Sequence, residues 1–100
     1  HEDLRRVEWT IGIEYDEDFE RVRQVILDLL AQDQRIRTTP EPLVVLHNLN
    51  SSSVDVLVRA WVASGDLWDV FWNFNERVYA DFNAKGIGFP FPQLTIHQGK

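Results

Sequence analysis

From Val54 to Val62 the chain reads Val-Asp-Val-Leu-Val-Arg-Ala-Trp-Val, and its even positions (Val54, Val56, Val58, Ala60, Val62) are all apolar and mostly β-branched. Successive side chains of a strand point to opposite faces, so a strict period of two commits one whole face to a core. The odd positions Asp55, Leu57, Arg59 and Trp61 are mixed. Leu57 and Trp61 are too apolar to face water without a contact to make. Any fold for this chain must therefore cover one side of this strand and account for the other.

The same signature stands near the start. Val7, Trp9, Ile11, Ile13 and Tyr15 alternate with Glu8, Thr10, Gly12 and Glu14, which predicts a second half-buried strand opening at Val7. His1–Arg6 is polar and aperiodic and reads as a tether. Gly12 weakens a strand, so it predicts a bulge or a close neighbour on the outer face. Arg59, on an outer face, is expected to pair with Glu8 or Glu14 across the sheet or with a neighbouring domain.

Between the two strands, Asp16-Glu17-Asp18-Phe19-Glu20 is dense in carboxylates. It lacks the turn glycine and the distal glutamate of a calcium loop. Asp16 is expected to cap a helix, with the following carboxylates at its positive end. Phe19, Val22, Ile26, Leu29 and Leu30 then recur at helical spacing, with Val25 beside them. Thr39-Pro40-Glu41-Pro42 punctuates a loop. Leu43–Leu49 is expected to be a strand joined to Val54–Val62 by the polar turn Asn50–Ser53.

A second helix follows Ser64-Gly65-Asp66, with Asp66 and Asp69 resembling a capping box. Leu67, Val70, Phe71, Phe74, Val78 and Phe82 form its core stripe, and Lys85-Gly86 closes it. A parallel stripe of Trp68, Trp72, Asn75 and Tyr79 reads first as filling the groove beside the first helix, and otherwise as an exposed contact surface. With a last strand over Gln93–His97, the order becomes βαββαβ, an α+β ferredoxin-like two-layer sandwich. Its first and third strands would lie antiparallel at the centre of the sheet.

Composition narrows the function. The 100 residues carry 44% hydrophobic residues and a net charge of −6 at a sequence pI of about 4.9. An acidic surface repels phosphate backbones and anionic headgroups, which argues against nucleic acid and against direct membrane contact. There is no cysteine, which fits a reducing compartment and removes thiolate metal chemistry. No run approaches the roughly 20 apolar residues of a membrane span, and no signal-peptide pattern opens the sequence, so a soluble chain is expected. His47 has no His, Cys or carboxylate partner at ligand spacing, and Ser51–Ser53 lie in no nucleophile elbow. No cofactor, metal or catalytic residue is expected, and the chain does not read as an enzyme.

The tail Gly86-Ile87-Gly88-Phe89-Pro90-Phe91-Pro92-Gln93-Leu94-Thr95-Ile96-His97 is not ordinary linker. Pro90 and Pro92 remove two backbone donors and force Phe89 and Phe91 to be extended, making a stiff spacer ahead of a short strand. This tail closely resembles the C-terminal end of the small-conductance mechanosensitive channel (MscS) family. Ile11–Asp18, Val58–Trp61 and Ser64–Leu67 agree with it in order and spacing, so the resemblance runs from Arg5 onward.

The resemblance implies a cytoplasmic α/β domain of an integral inner-membrane channel, detached from its membrane helices and from the preceding β-domain. In the family such domains join as a heptameric hollow vestibule beneath the pore of an osmotic-release channel, with side portals that solutes cross. Phe89, Pro90, Phe91 and Pro92 would be the spacer, and Leu94 and Ile96 would belong to a strand of a shared barrel; Trp61 joins them as an assembly residue. The implied organisation is a tether over 1–6, the vestibule domain over 7–88, and spacer plus barrel strand over 89–100, the last strand passing to an oligomeric barrel or folding back.

Three other functions compete. An acylphosphatase-type enzyme shares the layout but needs an anion-binding helix N-terminus, where this chain has carboxylates. A sheet-surface RNA binder would surround Trp61 with basic residues rather than Glu8, Glu14 and Asp55. A ligand-sensing regulatory domain of ferredoxin-like fold is the main alternative to the channel reading.

Overall fold

The computed structural model describes residues 3–90. The expected strand over Gln93–His97 lies outside the described residues. The elements are β1 (Leu4–Ile13), α1 (Phe19–Ala31), β2 (Leu43–Leu49), β3 (Val54–Ala63), a single 3-10 turn (Ser64–Asp66) and α2 (Leu67–Lys85). The three strands form one antiparallel sheet in the order β1-β3-β2, backed by two helices. This is the small α+β layer pair that the periodicities predict.

The period-two pattern settles the register. Trp9 stands opposite Val58, Ile11 opposite Val56 and Ile13 opposite Val54, so the apolar faces of β1 and β3 coincide. Val54, Val56, Val58, Ala60 and Val62 are all buried. Val22, Val25, Ile26, Leu29 and Leu30 of α1 and Val70, Phe74, Val78 and Phe82 of α2 close the same core. No polar or charged side chain is buried among the described residues. Trp9 fastens β1 to α2: its ring lies 4.3 Å from that of Phe74, and its indole N–H donates to the Phe71 carbonyl at 3.3 Å. A buried indole N–H needs such a partner.

Four local features differ from the sequence-based expectations. β1 begins at Leu4, so Leu4–Arg6 are strand residues facing Ala63, Val62 and Trp61 rather than tether. Two adjacent arginines hide the alternation there. The N-cap of α1 is Asp18, whose carboxylate accepts the Glu20 N–H at 3.1 Å, and not Asp16. The Glu17 N–H is already turned onto the Glu14 carbonyl (3.1 Å), which delays the helix by two residues. Asp66 makes no side-chain cap, because it sits in the 3-10 turn with helical φ/ψ, whereas a cap needs an extended backbone. Finally, Trp68, Trp72 and Tyr79 are 58%, 57% and 66% exposed; they do not fill the groove beside α1.

The hairpin of β2 and β3 forms as expected, with Asn50 N–H donating to the Ser53 carbonyl at 2.8 Å. Its register shifts between Leu46 and Asn48, and exposed His47 sits in the irregularity. Past the start of β2, the loop takes over its role: Arg37 N–H donates to the Trp61 carbonyl of β3 at 2.9 Å. Asp33 shapes that loop by accepting both the Arg35 backbone N–H (3.0 Å) and its guanidinium (3.0 and 2.9 Å). The guanidinium hydrogen bonds hold the Asp33 carboxyl below its ordinary range, against an opposing push from partial burial.

Candidate functional site

The chemistry-free core directs attention to the surface, and above all to where the chain leaves the layer pair. α2 ends at Gly86, whose φ of 72° is left-handed, a conformation that a residue with a Cβ enters at about 1–2 kcal/mol. The turn lets Ile87 N–H reach the Phe82 carbonyl at 2.9 Å and buries Ile87. The chain then lies along the outer edge of β1.

Four contacts hold it there. Glu14 N–H donates to the Gly88 carbonyl at 3.4 Å, while Gly88 N–H donates to the Glu17 carboxylate at 2.8 Å. Phe89 turns inward and stacks on the fully buried Phe82, with centroids 5.3 Å apart and planes 19° from parallel. Pro90 turns outward and rests on Gly12; a Cβ added at Gly12 would stand 3.4 Å from the Pro90 Cγ. The expected close neighbour of Gly12 is thus the proline of the exit segment. Gly88 is equally constrained, since an added Cβ would stand 2.9 Å from the carboxyl carbon of Glu14.

The carboxylates of Glu14, Asp16 and Glu17 approach within 4.8 Å of one another. The protein itself accounts for this gathering: Glu17 is committed to Gly88 N–H, and Glu14 lies half-buried against the same residue.

Of the residues singled out from the sequence, Phe89 and Pro90 are half-buried and together on the β1 edge. Phe91, Pro92, Leu94 and Ile96 lie outside the described residues. Trp61 is half-buried on the outer sheet face opposite Arg6. It lies six residues along β3 from Asp55, the partner of Gly12, or roughly 20 Å at strand rise, so it is not part of the Phe89–Pro90 cluster. Arg59 pairs across the sheet with Glu8 (Nε–Oε2 2.6 Å), which also holds Arg6 at 3.4 Å.

A second surface comes from α2. Trp68, Trp72 and Tyr79 recur at helical spacing on one exposed face, with the two tryptophan rings 5.7 Å apart. Spacing identified this stripe; only the packing shows that no described element covers it. The Glu17–Gly88 contact, by contrast, joins positions 71 apart and leaves no local signature.

Comparison with known proteins agrees with these features. The family described as "Mechanosensitive ion channel MscS, C-terminal" matches residues 7–89. A small-conductance mechanosensitive channel of Edwardsiella ictaluri is 32% identical over 96 residues, covering 96% of this chain and 34% of that protein. An uncharacterized MscS family protein of Synechocystis sp. is 33% identical over 93 residues, or 93% of this chain and 31% of the relative. The crystal structure of Helicobacter pylori MscS in its closed state superposes with a TM-score of 0.84 at 29% identity, covering 93% of this chain and 37% of that one. The chain thus spans about a third of the length of the relatives it matches. No described helix is long and apolar enough to cross a membrane. With its helix-backed sheet, its glycine-closed second helix and its match over residues 7–89, the chain belongs to the MscS family of mechanosensitive ion channels, as the C-terminal domain of such a protein.

Proposed function

We propose that this domain is a wall panel of the cytoplasmic vestibule of an osmotic-release channel, and that it stabilises a heptamer of identical chains rather than performing catalysis. The observation that carries this reading is the aromatic face of α2. Three large rings more than half exposed on one helix face form a patch of the kind that marks a protein–protein interface. We take the partner to be further copies of the same domain, a reading in keeping with the family match. Phe89–Pro92 then serves as the spacer that leads Leu94–His97 toward the other copies, and Trp61 offers a second contact on the sheet. Conduction and tension sensing fall to the preceding membrane helices.

Light scattering tests the assembly. We expect the chain ending at Lys100 to show a larger mass than one ending at Gln93, and Trp68→Ser with Trp72→Ser to reduce the mass further. Identical monomer masses for all of them would overturn the reading.

One observation favours the alternative of ligand sensing. The C-terminal end of α1 and the following loop enclose an open groove of about 500 Å3, floored by Leu27, Leu30 and Ile36 and rimmed by Asp33, Arg37 and Glu41. A thermal-shift screen with osmolytes and amino acids separates the two readings: a shift specific to one compound favours sensing.

A further inference from the structure

We propose that the groove at the C-terminal end of α1 binds a free α-amino acid with an aliphatic side chain, its carboxylate on Arg37 and its ammonium on Glu41. The groove holds about 500 Å3, a volume typical of small-molecule clefts. This ligand class belongs to the ligand-sensing reading and rests on it; no contact between copies enters.

Three features of the groove select that chemistry. The first is the floor. Leu27, Leu30 and Ile36 form it, and among the described residues no aromatic ring lines the groove. An aliphatic side chain is removed from water there, and nothing rewards a ring for stacking.

The second is the rim, which carries both signs of charge in Asp33, Arg37 and Glu41. Asp33 is no anchor: its side chain is only 9% exposed, and both of its oxygens accept from the Arg35 guanidinium. Glu41 is exposed and makes no hydrogen bond or ion pair with another described residue. A guanidinium has five donors, of which a carboxylate takes two. Arg37 can therefore hold a carboxylate alongside the interaction it already makes. One cation and one anion at the same rim match a zwitterion, and each satisfies the end of it that the other repels.

The third is rigidity. Ile36 N–H donates to the Asp33 carbonyl at 3.1 Å, and Arg37 N–H to the Trp61 carbonyl of β3 at 2.9 Å. The Arg35 backbone N–H closes on the Asp33 carboxylate at 3.0 Å. The loop wall is thus fixed before a ligand arrives, which lowers the ordering cost that so small a ligand must meet.

Methyl-labelled nuclear magnetic resonance of the full chain, titrated with L-leucine, tests the site. We expect shifts at the methyls of Leu27, Leu30 and Ile36, and none at Leu49 at the other end of β2. 4-Methylpentanoate and 3-methylbutylamine carry the same apolar body with one charge each. Both should bind about tenfold more weakly than L-leucine, the order for one lost hydrogen bond between charged groups. Arg37→Gln should weaken L-leucine and the acid while leaving the amine unchanged; Glu41→Gln should weaken L-leucine and the amine while leaving the acid unchanged. The comparison of the three compounds needs no variant, so it decides the matter even where a substitution loosens the loop. Equal affinity for all three would overturn the zwitterion site. So would methyl shifts at Leu27, Leu30 and Ile36 that follow protein concentration in place of ligand, because a second copy would then fill the groove. A thermal shift with L-leucine while the groove methyls stay unmoved would overturn this site and leave ligand sensing standing elsewhere. Groove shifts at unchanged molecular mass would support the site whether or not copies assemble.

Discussion

Truncating Phe82 to alanine probes how the second helix, the core and the exit segment depend on one another. Phe82 is fully buried and heads the largest fully buried side chains. Its ring carries the stack with Phe89, and its carbonyl receives the Ile87 N–H that turns the chain back along the sheet. A buried Phe→Ala change costs about 3–5 kcal/mol through lost transfer energy and the cavity left behind. A domain of this size has only about 5–15 kcal/mol in total. At about 4–8 °C per kcal/mol for a domain of this size, the midpoint should fall by about 12–40 °C. Phe89→Ala removes only the half-buried outer ring, and should cost about 1 kcal/mol, the order of an aromatic pair. Thermal unfolding followed by far-ultraviolet circular dichroism reads both variants. A Phe82→Ala loss below about 1 kcal/mol would refute the reasoning, because Phe82 would then not anchor the core. Equal losses for the two variants would refute the ordering of inner and outer ring.

Two further outcomes test local structure. Asp18→Ala should cost about 1 kcal/mol as the loss of a helix N-cap, and Asp16→Ala much less; urea unfolding of both variants decides which residue caps α1. The Asp33 carboxyl is lowered in the folded state by the Arg35 hydrogen bonds, so its contribution to stability is fully present above the unfolded value near 3.9. It is lost as pH falls through the lower folded value. The stability gap between the wild-type chain and Asp33→Asn should therefore be constant from neutral pH down to about 5 and close in stronger acid; a gap that widens on acidification contradicts the assignment.

The parts of the fold that sequence disclosed are those where one residue's neighbours on the chain decide its environment. Alternation in β1 and β3 and the apolar stripes of both helices follow from burial of one face, and burial is what a period records. The cap of α1 moved by two residues because four carboxylates compete for it. The winner is the one left extended once Glu17 closes its turn on Glu14. Leu4–Arg6 escaped notice because their strand character comes from pairing with Trp61, Val62 and Ala63, not from their own pattern. The exposure of Trp68, Trp72 and Tyr79 was beyond reach for a related reason. Helical spacing tells which side chains share a stripe, but what covers the stripe is decided by distant elements. At the exit segment the prolines were legible; the hold of Glu17 on Gly88, across 71 positions, was not.

The seating of Pro90 beside Gly12, near one end of β1, has a mechanical meaning. Leu4 begins the same strand at the other end, opposite Ala63. The two places where the described chain meets its continuations are thus separated along the strand axis by about 27 Å at strand rise. Antiparallel cross-strand bonds lie perpendicular to that axis. A pull between the two ends is accordingly borne in shear, spread over the whole β1–β3 ladder at once, instead of peeling it rung by rung.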